Sequence, residues 1–143
     1  MPKHEVRLSA RVNAPVEKVF AFFADHEKFT SLFGSRCSRI RDGQGDPNGL
    51  GSVRRLGSGL LSFDETIVAF VPNQQIDYQV TRGSPIKNHL GQIRFHSDGD
   101  GTAIDYVIRF DVKIPCTGGL IERMLDSGWN SKAPAVLKRL ETA

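Results

Sequence analysis

Phe63-Asp64-Glu65-Thr66-Ile67-Val68-Ala69-Phe70-Val71 alternates along its length, with the odd positions the more apolar. A period of two over nine residues predicts a half-buried strand. The same parity turns Glu65 inward among hydrophobic neighbours. Clusters of turn-forming residues punctuate the chain around this strand, at Asp42-Gly43-Gln44-Gly45-Asp46-Pro47-Asn48-Gly49, Pro72-Asn73, Gly83-Ser84-Pro85 and Asp98-Gly99-Asp100-Gly101. Between about residues 36 and 114 the runs separated by these turns predict six consecutive antiparallel strands, because such short connections leave no room for crossover helices.

Alternation assigns each strand an inner face, subject to inversion beyond any bulge. Ile76, Tyr78 and Val80 face inward on one strand, His89, Gly91, Ile93 and Phe95 on the next, and Ile104, Tyr106, Ile108, Phe110, Val112 and Ile114 on the last. In Gly51-Ser52-Val53-Arg54-Arg55-Leu56 the two parities are equally apolar, so one of Arg54 and Arg55 points inside and the pattern leaves open which.

Upstream, Val6, Leu8, Ala10 and Val12 alternate with polar residues as an edge of the same sheet would. Pro15 suits the first turn of a helix, and Val16, Val19, Phe20 and Phe23 recur at helical spacing. Asp25 can cap a second helix whose apolar face is Phe29, Leu32 and Phe33 and whose stop is Gly34. Downstream, residues 117 to 143 predict a long helix with Ile121, Met124, Leu125, Val136, Leu137 and Leu140 on one broad side and Pro134 inside it. A sheet with one apolar face must bury it, and only this helix is long enough. The fold class is therefore α+β, a curved antiparallel sheet in β-α-α-β6-α order around a long C-terminal helix, in a single domain over residues 1–143.

Composition agrees with one globular unit: 143 residues, 39% hydrophobic and 24% charged. A chain of this mass removes roughly two thirds of its surface from water on folding, enough for a core without disulfide staples. Cys37 and Cys116 are accordingly expected as free, buried thiols. The longest unbroken apolar run, Val19 to Ala24, is far short of the ~20 residues of a membrane helix. The charged opening Met1-Pro2-Lys3-His4-Glu5-Val6-Arg7 lacks the pattern of a secretory signal, and the expected compartment is cytoplasmic. Net charge is +3. Arg36, Arg39, Arg41, Arg54 and Arg55 cluster in sequence, but no aromatic residue is interleaved with them, so no nucleic-acid partner is expected.

Inward charge needs a partner, since isolated buried charge costs several kcal/mol. Glu65 and the inward arginine either pair with each other or line a partly wet cavity whose polar groups orient a ligand. The final helix adds small side chains at Gly128, Ser131 and Ala135 beside Trp129, which we read as leaving volume against a curved sheet.

The stretches Val12-Asn13-Ala14-Pro15-Val16-Glu17-Lys18-Val19-Phe20-Ala21-Phe22-Phe23-Ala24-Asp25, Gly49-Leu50-Gly51-Ser52-Val53-Arg54-Arg55, the Glu65-Thr66-Ile67 run closing at Pro72, and Gly101-Thr102 resemble the polyketide cyclase/dehydrase-like branch of the START and Bet v 1-related (SRPBCC) superfamily. The resemblance covers nearly the whole chain and implies the helix-grip fold with a hydrophobic cavity between sheet and final helix. It implies ligands such as lipids and polyketides, with Glu65 and the Arg54/Arg55 pair as polar pocket residues. With the inward set, this makes Arg54, Arg55, Phe63, Glu65, Ile67, Tyr78, His89, Ile93, Phe95, Tyr106, Ile108, Phe110, Met124, Gly128 and Trp129 the candidate ligand-binding residues.

Rival chemistries lack their residues. His4, His26, His89 and His96 do not converge in sequence, so no metal is expected. Gly43, Gly45, Gly49 and Gly51 precede a strand without Gly-Lys-Ser/Thr, which makes them a hairpin loop. No cofactor is implied. The leading function is binding or carriage of a small hydrophobic molecule by a monomer or homodimer. A cyclase/dehydratase with Glu65 as general base, and Tyr78 and His89 as further catalytic candidates, is the enzymatic alternative. A protein-interaction module using the Arg36–Arg55 hairpin as a basic docking face is the third.

Overall fold

The computed structural model describes residues 2–33, 36–57, 59 and 62–142. Strand β1 (His4–Val12) leads through Pro15, the residue that caps α1 rather than opening its first turn, into α1 (Val16–Ala24) and α2 (His26–Ser31). The Asp25 carboxylate accepts from the Lys28 N–H at 3.0 Å, capping α2 as its sequence predicts. The helix ends with Leu32 as its C-cap; Gly34, its expected stop, lies outside the described residues.

Six strands follow: β2 (Cys37–Arg41), β3 (Val53–Leu56), β4 (Phe63–Val71), β5 (Gln75–Arg82), β6 (Ile86–Asp98) and β7 (Gly101–Val112). With β1 they form one antiparallel seven-stranded sheet in the order β1-β7-β6-β5-β4-β3-β2. Helix α3 (Gly118–Lys138) contains Pro134 and closes in a 3₁₀ turn, Arg139–Glu141. This is the α+β helix-grip architecture. Among the described residues no helix is long and apolar enough to cross a membrane.

Register explains the inner face. Leu8 opposes Tyr106, Tyr106 opposes Ile93 and Ile93 opposes Ile76, a continuous apolar row across four strands. Helix α1 lays Val19, Phe20 and Phe23 onto it, with the Phe20 and Phe23 rings edge-on to Phe95 at 5.2 and 5.4 Å. Among the described residues four register shifts interrupt the pairing, and two of them change which side chains face inward against expectation. In β4 the register shifts between Ile67 and Ala69, so Phe70 packs inward against Phe20 while Val71, expected inside, is exposed. In β6 it shifts between Lys87 and Leu90, where Asn88 takes φ 51°, and beyond that step Ile86 faces in. Strand β7 stops at Val112, which leaves Ile114 59% exposed instead of inside.

The two halves of α3 behave differently. Trp129, Ala133 and Leu137, one turn apart, are buried. In the first half Ile121 and Leu125 are only half-buried, and Met124 is 63% exposed. Past Gly128 the buried stripe rotates to Trp129, so Ser131 and Ala135, expected to face the sheet with Gly128, face solvent. The cysteines are free, but Cys37 is only half-buried and Cys116 is exposed. Cys37 lies on the edge strand β2 and Cys116 lies beyond the end of β7.

Gly91 illustrates how tightly the inner face is packed. It sits opposite Tyr78, and a Cβ there would collide with the Tyr78 ring, which lies flat across the β6 backbone. Gly91→Ala is expected to destabilise the fold by about 1–3 kcal/mol through overpacking. Urea unfolding checks this, and an unchanged midpoint would contradict it.

Candidate functional site

A cavity of about 340 Å³ lies between the sheet, α2 and the first half of α3. Its walls are mostly apolar: Phe29 and Phe33, Leu56, Phe63, Ile108, Ile121 and Leu125. Exposed Met124 and Pro85 mark where it meets solvent. Six polar side chains contribute to the wall, Thr30 from α2, Glu65 from β4, Tyr78 from β5, Ser84 from the turn after β5, His89 from β6 and Tyr106 from β7.

Behind Glu65 lies Arg54, 1% exposed. The register of β3 and β4 places the two residues directly opposite each other, and Arg54 Nε donates to Glu65 Oε1 at 2.8 Å. The guanidinium is sandwiched between rings, its carbon 4.4 Å from the Phe29 centroid and 4.6 Å from that of Tyr78. Its Nη1 donates to His26 Nδ1 at 3.4 Å, and its Nη2 has no partner among the described residues. Because His26 accepts at Nδ1, its proton is on Nε2, which donates to Ser52 Oγ at 2.7 Å; Ser52 passes its own hydrogen to the Arg41 carbonyl. Burial, assisted by the Arg54 charge, lowers the His26 pKa to about 3. Burial raises the Glu65 carboxyl, with Arg54 opposing that shift.

Arg55 points to the opposite face. It grips Asp64 through Nε and Nη2 at 2.7 and 3.1 Å, and Arg82 Nε adds a third bond at 2.9 Å. These bonds hold the Asp64 carboxyl down at about 2. Arg54 is buried, Arg55 is committed to Asp64 and Arg39 bonds Asp42 and Asn48, which leaves Arg36 and Arg41 as the exposed arginines of the Arg36–Arg55 hairpin without an ion pair among the described residues.

His89 is 6% exposed, and its Nδ1 accepts the Val80 backbone N–H at 3.0 Å. Desolvation first and the Arg54 charge second lower its pKa to about 4, so the ring is neutral with its proton on Nε2. The Tyr78 and Tyr106 hydroxyls hydrogen-bond to each other, and burial pushes both phenols upward.

The structure thus brings Phe63, Glu65, Tyr78, His89, Tyr106, Ile108, Met124 and Gly128 of the sequence-derived set to one cavity. Ile67, Ile93, Phe95 and Phe110 are in the solid core instead: Phe95 is covered by Phe20 and Phe23 of α1, and Phe110 stacks on His4. Arg54 stands behind the wall and Arg55 outside it. Trp129 packs between Phe33 and Tyr106, at 6.0 and 5.7 Å, and borders a second groove beside β1. Phe29, Phe33, Ile121 and Leu125 also line the cavity; their spacing marks apolar helix faces but does not distinguish a face that packs from one that borders a cavity. Nothing local in the sequence marks Ser84, Pro85 and Ile86, which a hairpin turn and the β6 bulge bring to its edge.

The polyketide cyclase/dehydrase and lipid transport family matches the chain over residues 3–143. No curated protein matches it in sequence. Among solved structures, a START superfamily protein from Mycobacterium smegmatis is 20% identical with TM-score 0.76, covering 96% of this chain and 97% of that one. Ara h 8.0201 is 15% identical with TM-score 0.65, covering 94% and 97%. DynU16, a protein in the dynemicin biosynthetic locus, is 15% identical with TM-score 0.68; 99% of this chain aligns with 48% of that one. At these identities the structural likeness concerns the fold.

Two outcomes follow from the buried charges. Arg54→Met leaves Glu65 buried without its partner and is expected to cost about 3–5 kcal/mol, most of it recovered in Arg54→Met/Glu65→Leu; urea unfolding of the three proteins checks this, and equal stabilities would contradict it. His26 and His89 protonate near 6.5 when unfolded but near 3 and 4 when folded. Within those windows the unfolded chain binds more protons, so acidification removes up to about 1.4 kcal/mol per pH unit for each. Glu65 acts with the opposite sign above 4.5, one group against two. The unfolding free energy is therefore expected to fall from pH 7 to pH 5, and a flat or rising profile would contradict the neutral-histidine assignment.

Proposed function

The chain belongs to the polyketide cyclase/dehydrase and lipid transport family, and we propose that it binds or carries a small, largely apolar molecule such as a lipid or polyketide in the cavity under α3. The observation that carries this reading is the cavity itself: about 340 Å³, walled mainly by aromatic and aliphatic side chains, with a few polar groups at fixed positions. Its size and lining are those of small-molecule sites. Burying about 200 Å² of apolar ligand surface contributes roughly 5 kcal/mol before the costs of association. The apolar body lies against Phe29, Phe33, Ile121 and Leu125, and the polar end meets Glu65, Tyr78, Tyr106 and His89.

A second reading, cyclisation or dehydration with Glu65 as general base, draws support from one observation. The carboxyl lines the cavity, and burial raises its proton affinity toward the range useful for a base. Arg54 holds that shift back. On this reading Glu65→Gln keeps ligand binding but loses turnover of candidate polyketides; unchanged turnover rejects the base role.

Trp129, the sole tryptophan, packs on two cavity-lining rings and reports on occupancy. Titration with 1-decanol is expected to change its fluorescence saturably. Gly128 lines the cavity, and among the described residues a Cβ there meets only Phe33 at 3.6 Å, so Gly128→Leu fills the space without breaking α3. That variant is expected to unfold no earlier than wild type and to lose the fluorescence response. No response from wild type up to the solubility limit would contradict a binding cavity.

A further inference from the structure

We propose that the polar wall of the cavity takes a neutral carbonyl oxygen, which makes the ligand a ketone, aldehyde or ester and not a carboxylate or an amine; the inference rests on the cavity being a binding site. Hydrogen positions carry it. The Val80 N–H donates to His89 Nδ1, so that nitrogen presents a lone pair and the ring proton is on Nε2. His89 lines the cavity, and Nε2 has no partner among the described residues. Tyr78 and Tyr106 supply two hydroxyl hydrogens, and their mutual bond uses one. The other has no partner among the described residues. Two neutral donors therefore stand in the cavity wall without a hydrogen-bond partner among the described residues.

Of the other polar groups around the cavity, two keep capacity: the Ser84 hydroxyl hydrogen and Glu65 Oε2 have no partner among the described residues. Thr30 Oγ1 donates to the His26 carbonyl, and Ser84 Oγ accepts the Ile86 N–H. Glu65 Oε1 receives Arg54 Nε–H. A carbonyl oxygen has two lone pairs and satisfies two donors. A carboxylate placed there meets the Glu65 carboxyl, and the neighbouring cation, Arg54, is screened from the cavity behind the Phe29 and Tyr78 rings. An ammonium finds one free acceptor, Glu65 Oε2, for its three donors, on a wall that already has donors to spare and the Arg54 charge behind it.

Calorimetric titration of the full chain at pH 7 with four naphthalenes of one shape tests this. The probes are 2-acetylnaphthalene, its hydrocarbon isostere 2-isopropylnaphthalene, 2-naphthoate and 2-naphthylmethylamine. The ketone is expected to bind about fivefold or more tighter than the hydrocarbon, the effect of one net hydrogen bond, and tighter than either ion. In His89→Phe the ketone's advantage is expected to shrink while hydrocarbon affinity holds. Equal affinity of ketone and hydrocarbon, tighter binding of either ion, or an undiminished preference in His89→Phe overturns the inference and leaves the cavity reading standing. Failure of both neutral compounds to bind wild type overturns both. Long-range ¹H–¹⁵N correlation of the wild-type histidines supplies a readout that needs no variant: His89 protonated at Nε2 is expected, and protonation at Nδ1 overturns the proposal.

Discussion

One guanidinium group without access to water ties the sheet to the helices that cover it. Arg54 reaches β4 through Glu65, α2 through His26 and Phe29, and β5 through Tyr78. Burying such an ion is costly, and the ion pair, the cation–π contacts and a neutral histidine acceptor offset that cost together. Glu65, Tyr78 and Phe29 are all cavity-wall residues, so the shape of the site depends on a charge that does not itself line it. The His26–Ser52 chain extends the same network to the Arg41 backbone, which fixes the hairpin from β2 to β3 against α2.

Core and cavity are made from the same elements. Toward its C-terminal end α3 lowers Trp129, Ala133 and Leu137 into the packed interior, and α1 fills the adjoining part of the sheet with Phe20 and Phe23. Toward its N-terminal end it presents Ile121, Leu125 and Gly128 to the sheet across unfilled space. The sheet is packed solid at Ile93, Phe95 and Ile104, and space remains where the wall carries Tyr78, His89 and Glu65. The polar residues are thus grouped where the apolar faces do not meet, which confines the ligand's polar end to one wall.

Much of this was readable from residue patterns. The period of two over residues 63–71, the turn clusters and the lone long helix specify the element order, and an inward Glu65 follows from parity alone. Choosing between Arg54 and Arg55 does not, because both parities of β3 are equally apolar; it takes the pairing of β3 with β4, which sets Arg54 against Glu65 on one face and Arg55 against Asp64 on the other. Bulges in β4 and β6 inverted the alternation at Val71 and Ile86, and their positions carry no local signature. The small-residue stripe misled for a similar reason: where the buried face of a helix rotates along its length, spacing alone does not say which small residue faces the sheet.

The central claim, that the space under α3 holds a ligand, is tested most directly by native mass spectrometry of the gently purified protein before and after an excess of 2-isopropylnaphthalene. The account predicts a bound mass at one equivalent per chain in wild type, either co-purified or added, and none in Gly128→Leu. A single ligand-free mass under both conditions, or an equal load on wild type and variant, would contradict it.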